Sequence, residues 1–274
     1  MKPLAPTRIS SDWLNRGCAN WAISEFTTTA SVSSGSRPES TKSMETLDIV
    51  NREGRERLYP SLTNPSWLVL RRRREIFRKW LARVDGRNLD VLDVGGRIQP
   101  YRPLLEGRIR RYVAVDLRQT PLVNVVARGE QIPLASAQFD LVICTQMLEY
   151  IPEPVAVIAE IYRVLRPGGV LLLSVPAVFP RDSDHDLWRF LPESLRYLLR
   201  SFCDVEVAAE GSSIAGFFRT ASVCLVMFAK PALFRTLLRF TLVPVLNVTA
   251  ASLEALSGSS NYQFAANFSA FAKK

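Results

Sequence analysis

Residues Asn88-Leu-Asp-Val-Leu-Asp-Val-Gly-Gly-Arg97 constrain this chain more than any other stretch. The run reads as a buried strand that ends at Asp93 and Val94 and then turns at Gly95 and Gly96. Tyr112-Val-Ala-Val-Asp-Leu117 is a second short apolar run with its own acid, Asp116, which follows Asp93 by 23 residues. That spacing suits a strand–helix–strand unit that holds a nucleotide, with the later acid on the ribose.

The residue types have a physical reason. A glycine turn at the carboxyl end of a strand lets backbone approach a ligand with no Cβ in the way. The N–H groups at the start of the following helix then face that ligand. An acid at the tip of the next strand accepts hydrogen bonds from ribose hydroxyls. Only two glycines are present, with Ile98 and Gln99 where further ones might stand. A tight strand-to-helix turn with no ligand is the plain alternative.

From residue 88 onward strands and helices alternate. Strands are expected near 89–94, 111–116, 123–127, 139–144, 169–175 and 204–209, with a final strand in 264–274. A helix over 153–165 carries Val155, Val157, Ile158, Ile161 and Val164 and stops at Leu165-Arg-Pro-Gly-Gly169. A further helix is expected over 192–202. This alternation argues for an α/β domain, a parallel sheet with helices on both faces, with ligands at the carboxyl ends of the strands.

Before this domain, residues 44–87 read as a helical extension, with apolar Trp67, Leu70, Phe77, Trp80 and Leu81 in 66–84. Arg71-Arg-Arg-Arg74 cannot all face one side of a helix, and the run reads as a solvated band rather than a phosphate clamp. Residues 1–43, rich in Ser and Thr, read as a disordered tail without the apolar core of a secretory signal. Residues 214–258 form an apolar and basic insertion before the last strand. Ser222–Ala229 is too short to span a bilayer, and Arg235 and Arg239 share one helical face. The block is expected to pack on the domain as helices, with an amphipathic surface that touches lipid as the alternative.

The net charge of +9 is unevenly spread. Residues 1–85 hold 15 bases and 9 acids, residues 86–210 hold 14 and 16, and residues 211–274 hold 6 and 1. A near-neutral centre with basic flanks fits an anionic surface or a phosphorylated substrate, or plainly solvated faces. The four cysteines are scattered with no CxxC, and His185 is the only histidine. This pattern suggests neither a disulfide framework nor a zinc site and argues against a histidine-rich metal site, and a reducing cytoplasm is the expected compartment, with peripheral membrane contact through 214–258.

Phe139-Asp-Leu-Val-Ile-Cys-Thr-Gln-Met-Leu-Glu-Tyr-Ile-Pro-Glu-Pro154, followed by Glu160-Ile-Tyr-Arg-Val-Leu-Arg-Pro-Gly-Gly-Val-Leu-Leu-Leu-Ser-Val-Pro176, resembles the class I S-adenosylmethionine-dependent methyltransferases. Together with the glycine turn, the resemblance covers residues 88–210 and the last strand. It implies a Rossmann-like doubly wound sheet of about seven strands with an antiparallel last strand, and S-adenosylmethionine as cofactor. It places Asp93, Gly95 and Gly96 against the amino-acid part of the cofactor and Asp116 on the ribose. Gly129 and Glu130 fall beside the adenine, and Thr145 and Gln146 beside the sulfonium. The chain departs from the family pattern at Arg97 and Gln99, where glycines are usual, at Arg128, where an aspartate is common, and at Tyr150, where histidine is frequent.

Methyl transfer from a sulfonium needs alignment more than covalent help, and a base only where the acceptor must lose a proton. The polar run Asp182-Ser-Asp-His-Asp-Leu-Trp-Arg-Phe190 is the expected acceptor side. His185 would accept a proton with Asp184 or Asp186 orienting it; the alternative is a loop whose Asp and His cap the next helix. Asp186-Leu-Trp-Arg-Phe-Leu-Pro-Glu-Ser-Leu195 resembles methyltransferases of glycan and cell-surface polysaccharide assembly, with Arg189 facing an anionic group of the acceptor. A small-molecule or glycan acceptor is therefore expected. Nucleic acid is disfavoured, because no interleaved aromatic–basic module and no Asn-Pro-Pro-Tyr-type sequence is present. A non-catalytic methyltransferase-like scaffold is the competing reading, and a nucleic-acid methyltransferase a further one.

Overall fold

A computed structural model describes residues 39–181, 183–258 and 261–274. The disordered-tail reading of residues 1–38 lies outside the described residues. Helix α1 spans Glu39–Leu58, so its first turns take up residues assigned to the tail, and α2 spans Trp67–Leu81. Seven strands follow: β1 Leu89–Val94, β2 Ile109–Asp116, β3 Val125–Val126, β4 Phe139–Thr145, β5 Leu165–Pro176, β6 Cys203–Ala209 and β7 Asn267–Lys273. Helix α3, Pro154–Val164, joins β4 to β5, and α4, Pro192–Leu198, precedes β6. The insertion folds as three helices, α5 Ser213–Phe228, α6 Ala232–Phe240 and α7 Leu242–Ser257.

The sheet order is β3-β2-β1-β4-β5-β7-β6. Strands β1 to β5 run parallel, and β7 is antiparallel to both β5 and β6. This is the doubly wound, Rossmann-like arrangement, with the reversed last strand inserted between β5 and β6. Bounds differ from expectation where local pattern is weakest. β3 shrinks to two residues, α4 ends at Leu198 rather than near 202, and β7 begins at Asn267. Leu165–Gly169 joins β5 through a register irregularity against β4, with Gly168 at φ +79°.

Strand alternation sorts the core into two layers. Leu92, Val94, Val142, Cys144, Leu171 and Leu173 meet α3 and α4 through Ile158, Ile161, Leu195 and Leu198. Leu89, Val91, Leu141, Ile143, Val170 and Leu172 point the other way, onto Phe77, Trp80 and Leu81 of α2. At the amino end of the sheet, Asp90 is fully buried and paired with Arg110, and Arg166 Nη2 reaches it at 2.9 Å. The arginine of the Leu-Arg-Pro-Gly-Gly string thus ties β5 to β1 and, through Asp140, to β4.

The four-arginine run of α2 is not a uniform solvated band. Arg72 pairs with Glu75, Arg71 lies over the Trp67 ring and Arg74 Nη1 donates to the Leu58 carbonyl. Arg73 is 2 % exposed, and its Nε donates to both oxygens of Glu210 at 2.8 and 2.9 Å. Ser174 and Ser269 hydroxyls donate to the same carboxylate at 2.5 and 2.6 Å, and Asn267 Nδ2 donates at 3.1 Å. Burial works against the Arg73 charge, but Glu210 and the Tyr101 hydroxyl outweigh it and push its pKa up. Glu210→Ala strands a buried guanidinium, and the expected loss is about 3–5 kcal/mol in denaturant unfolding. A loss within the scatter of surface substitutions would refute the pair as an anchor.

Candidate functional site

The glycine turn sits at the carboxyl tips of β1 and β2. Gly95 takes φ +78°, and its N–H donates to the Val115 carbonyl at 2.8 Å, tying the turn to β2. A Cβ on Gly96 would lie 2.6 Å from the Asp93 Cγ, so the backbone wraps directly over this acid. Gln99 replaces a glycine of the family pattern yet keeps a left-handed backbone, φ +43°, a strained conformation for a side-chain-bearing residue. Its amide holds it there: Nε2 donates to the Leu122 carbonyl at 2.6 Å, and Oε1 accepts from Arg102 at 2.9 Å. Arg97 reaches Glu53 of α1 at 3.4 Å. Gly54 lies so close to the Ile98 carbonyl that a Cβ there would sit 2.5 Å away, so α1 closes one side of the turn.

Parallel partners share a face, so Asp93, Tyr112 and Asp116 look the same way. The Tyr112 hydroxyl donates to Asp93 Oδ2 at 2.7 Å. Burial pushes the Asp93 carboxyl up to about 7 against that hydrogen bond, and the Asp116 charge adds to the rise. Asp116 accepts the Arg118 N–H at 2.8 Å, and its pKa is also raised by burial. The two acids and the two glycines therefore form one locus at the strand tips.

The other expected cofactor residues converge through Met147, which sequence reading overlooked. A Cβ on Gly95 would meet Met147 Cβ at 3.1 Å, and one on Gly129 would meet Met147 Cε at 3.2 Å. Thr145 ends β4. Gln146 follows with φ +51°, its N–H donating to the Ser174 carbonyl at 2.8 Å. Glu130 accepts from Arg128 at 3.4 Å through Oε1, while its buried Oε2 has no hydrogen-bond partner among the described residues. A glycine turn, an acid at the β2 tip and a buried carboxylate oxygen left unsatisfied fit a nucleoside-bearing cofactor. Met147 narrows the space around the turn.

The loop after β5 is arranged differently from expectation. Asp182 lies outside the described residues. Asp184 pairs with Arg181 at 2.8 Å in solvent, Asp186 pairs with Arg189, and the exposed His185 donates its backbone N–H to Ser183 Oγ at 3.3 Å. Asp184 is thus committed to an arginine rather than brought to the imidazole. Arg189 also departs from its expected role, because its guanidinium donates to the Phe179, Pro180 and Trp188 carbonyls. It folds the loop. Trp188 Nε1 donates to the Ile151 carbonyl at 2.8 Å, and the Leu187 and Trp188 N–H groups donate to the Glu149 carbonyl, which fastens the loop beside the β4 tip. No cluster of three or more metal-ligating side chains occurs among the described residues.

The matched family segment contains this locus. The family model described as "Methyltransferase domain" matches residues 92–173, from β1 through β5. A Mycolicibacterium smegmatis protein named "Probable S-adenosylmethionine-dependent methyltransferase" is 30% identical over 131 residues, covering 44% of this chain and 50% of that protein. A ubiquinone biosynthesis O-methyltransferase of Pseudomonas aeruginosa is 36% identical over 92 residues, 32% of this chain and 35% of the relative. Among solved structures, a Burkholderia thailandensis 1,6-didemethyltoxoflavin-N1-methyltransferase has 18% identity and a TM-score of 0.48, covering 89% of this chain and 92% of that one. The chain spans half or less of the length of these two curated relatives. The sheet order is Rossmann-like, and the segment similar to methyltransferase domains is the β1–β5 part of that sheet.

The raised Asp93 pKa has a definite sign. Folded Asp93 holds its proton more tightly than the unfolded carboxyl, so its contribution to stability is full below about pH 3.8 and is lost as pH rises through about 7. Asp93→Asn removes this dependence. The stability of the native protein relative to that variant should fall between pH 5 and pH 8 in paired denaturation curves, within that window. A difference that is flat or grows with pH would show that Asp93 is ionised throughout.

Proposed function

We propose that this protein is an S-adenosylmethionine-dependent methyltransferase acting on oxygen of a sugar or another small or lipid-linked metabolite. The observation that carries this reading is the position of Asp116, at the β2 tip beside the Gly95–Gly96 turn, inside the segment matched by the methyltransferase model. Asp116 would take the ribose hydroxyls, Gly95 and Gly96 would admit the amino-acid end, and Glu130 would offer its unsatisfied oxygen near the adenine. Thr145 and Gln146 would flank the sulfonium. When bound, the cofactor supplies an already activated methyl carbon, so the chain's task is alignment and exclusion of water.

For a hydroxyl acceptor, proton removal falls to His185, the one histidine, on the loop fastened beside the β4 tip. Asp184 and Asp186 would act by shaping that loop through Arg181 and Arg189. The sugar reading is supported by the Asp186–Leu195 string. A cytoplasmic setting, at the membrane's edge, is part of the proposal and suits scattered, unpaired cysteines.

Two measurements test the assignment. Calorimetry with S-adenosylhomocysteine should give saturable binding that Asp116→Ala weakens by roughly ten- to hundredfold, since a carboxylate with two hydroxyl donors is lost. Unchanged affinity would remove the ribose role. His185→Ala should slow turnover on a hydroxyl acceptor by about a hundredfold with cofactor affinity intact; equal turnover would leave His185 as a loop residue. One observation favours a second reading, a non-catalytic scaffold: Met147 lies against Gly95 and Gly129. The absence of any S-adenosylhomocysteine binding by the native chain would select it.

A further inference from the structure

The three helices of the insertion are built inside out. In water an amphipathic helix turns its apolar stripe to the core. Here α6 buries no residue, and its exposed positions are Leu233, Phe234, Leu237 and Phe240, one face of the helix, with Leu233 84 % exposed. Arg235 and Arg239 are the half-buried side of the same helix. On α5 the inward residues are Ala215, Gly216, Arg219, Ser222 and Val226, and the outward ones include Phe217 and Phe228, the latter 79 % exposed. Arg219 Nε donates to Ser66 Oγ at 3.1 Å. On α7 the inward Asn247 donates to the Leu62 and Asn64 carbonyls at 2.8 and 3.0 Å, while Val245, Val248, Leu253 and Leu256 face out.

The outward apolar residues belong to helices that pack on one another, so they make a shared surface, not scattered single side chains. Its charge is mostly of one sign. Residues 213–257 contain Arg219, which is buried, with Lys230, Arg235 and Arg239, against one acid, Glu254, whose Oε1 accepts the Ser212 N–H. We infer that α5, α6 and α7 form a platform that docks the protein on an anionic lipid bilayer, laying its apolar face into the headgroup boundary. A second copy of the chain is a poorer occupant, because a self-complementary contact would bring these cations together with only Glu254, already bonded to the Ser212 N–H, to offset them. The platform lies on the membrane and does not cross it. Ala232–Ser257 has the length and apolarity of a span, with a mean hydropathy of 1.4 over its most apolar window. But Thr241 breaks it into two helices, and Val243, Asn247 and Ala250 hold α7 to the domain. This inference stands apart from the proposed catalysis.

The test is co-sedimentation of the full chain with unilamellar vesicles of phosphatidylcholine, alone or mixed with phosphatidylglycerol. Binding is expected to the mixed vesicles, to weaken with added salt, and to fall about tenfold or more in a Leu233→Glu, Phe240→Glu double variant. Both positions are exposed, so the variant should keep the native melting temperature. Should it melt early, amide exchange of the native chain decides: protection by vesicles confined to residues 213–257 is expected, and none there would overturn the proposal. Equal sedimentation of native and variant chains would also overturn it. So would absence of vesicle binding together with a dimer that the substitutions dissolve, which would assign the face to a second copy.

Discussion

The buried ion pair between Arg73 and Glu210 joins parts of the chain 137 residues apart, and much of the architecture is hung on it. Glu210 follows the last residue of β6, and Arg73 lies midway along α2. Between them stand Ser174 of β5 and Ser269 and Asn267 of β7. All the oxygen-facing donors converge on one carboxylate, which is what an interior charge requires if its desolvation is to be offset. The pair also fixes geometry that apolar packing alone leaves loose. It pins α2 to the far side of the sheet, where three strands of mixed direction must hold register.

The network reaches the candidate site. Gln146 Nε2 lies 3.3 Å from the Ser174 hydroxyl that serves Glu210. Gln146 is also one of the left-handed residues at the strand tips. Strain of this kind persists where surroundings over-determine it, and the ladder bond from its N–H to Ser174 supplies part of that constraint. Gln99 follows the same logic at the other end of the locus, with its side-chain amide bound on both sides. A glycine would adopt either backbone freely; these glutamines hold it by hydrogen bonds.

Sheet and strand-tip acids were legible because a parallel strand buried on both faces leaves a dense apolar run, and the turn after β1 carries glycine at its left-handed position. The α2 helix was legible from its apolar spacing. The role of Arg73 was not, because four consecutive arginines look alike and only the distant Glu210 distinguishes one. Tyr112 was within reach: it shares parity with Asp116 and sits on the strand beside Asp93, so alternation alone puts all three on one face. Met147 carries no charge or motif and is visible only once Gly95 and Gly129 are brought together. The commitments of Asp184 and Arg189 depend on loop conformation, which has no periodicity to read. In the insertion, apolar residues announced helices, yet periodicity cannot say which way a stripe faces.

That direction is decided by the same polar anchors. Asn267 serves Glu210 and also lies near Arg219 of α5, whose Nε is bound by Ser66. The Ser212 N–H is taken by Glu254 of α7 at 2.8 Å. Gly216 meets the Phe264 backbone so closely that no side chain fits there. Small and polar residues thus bring α5 and α7 against the domain, and helices held this way have only their apolar sides left to present outward. In water such an arrangement gains less from the hydrophobic effect than it could, since beside Ala215, Val226, Val243 and Ala250 the surface it hides is polar while larger apolar side chains stay exposed. Against a bilayer the balance reverses: the exposed leucines and phenylalanines become the favourable contact, and the anchors are already satisfied without them.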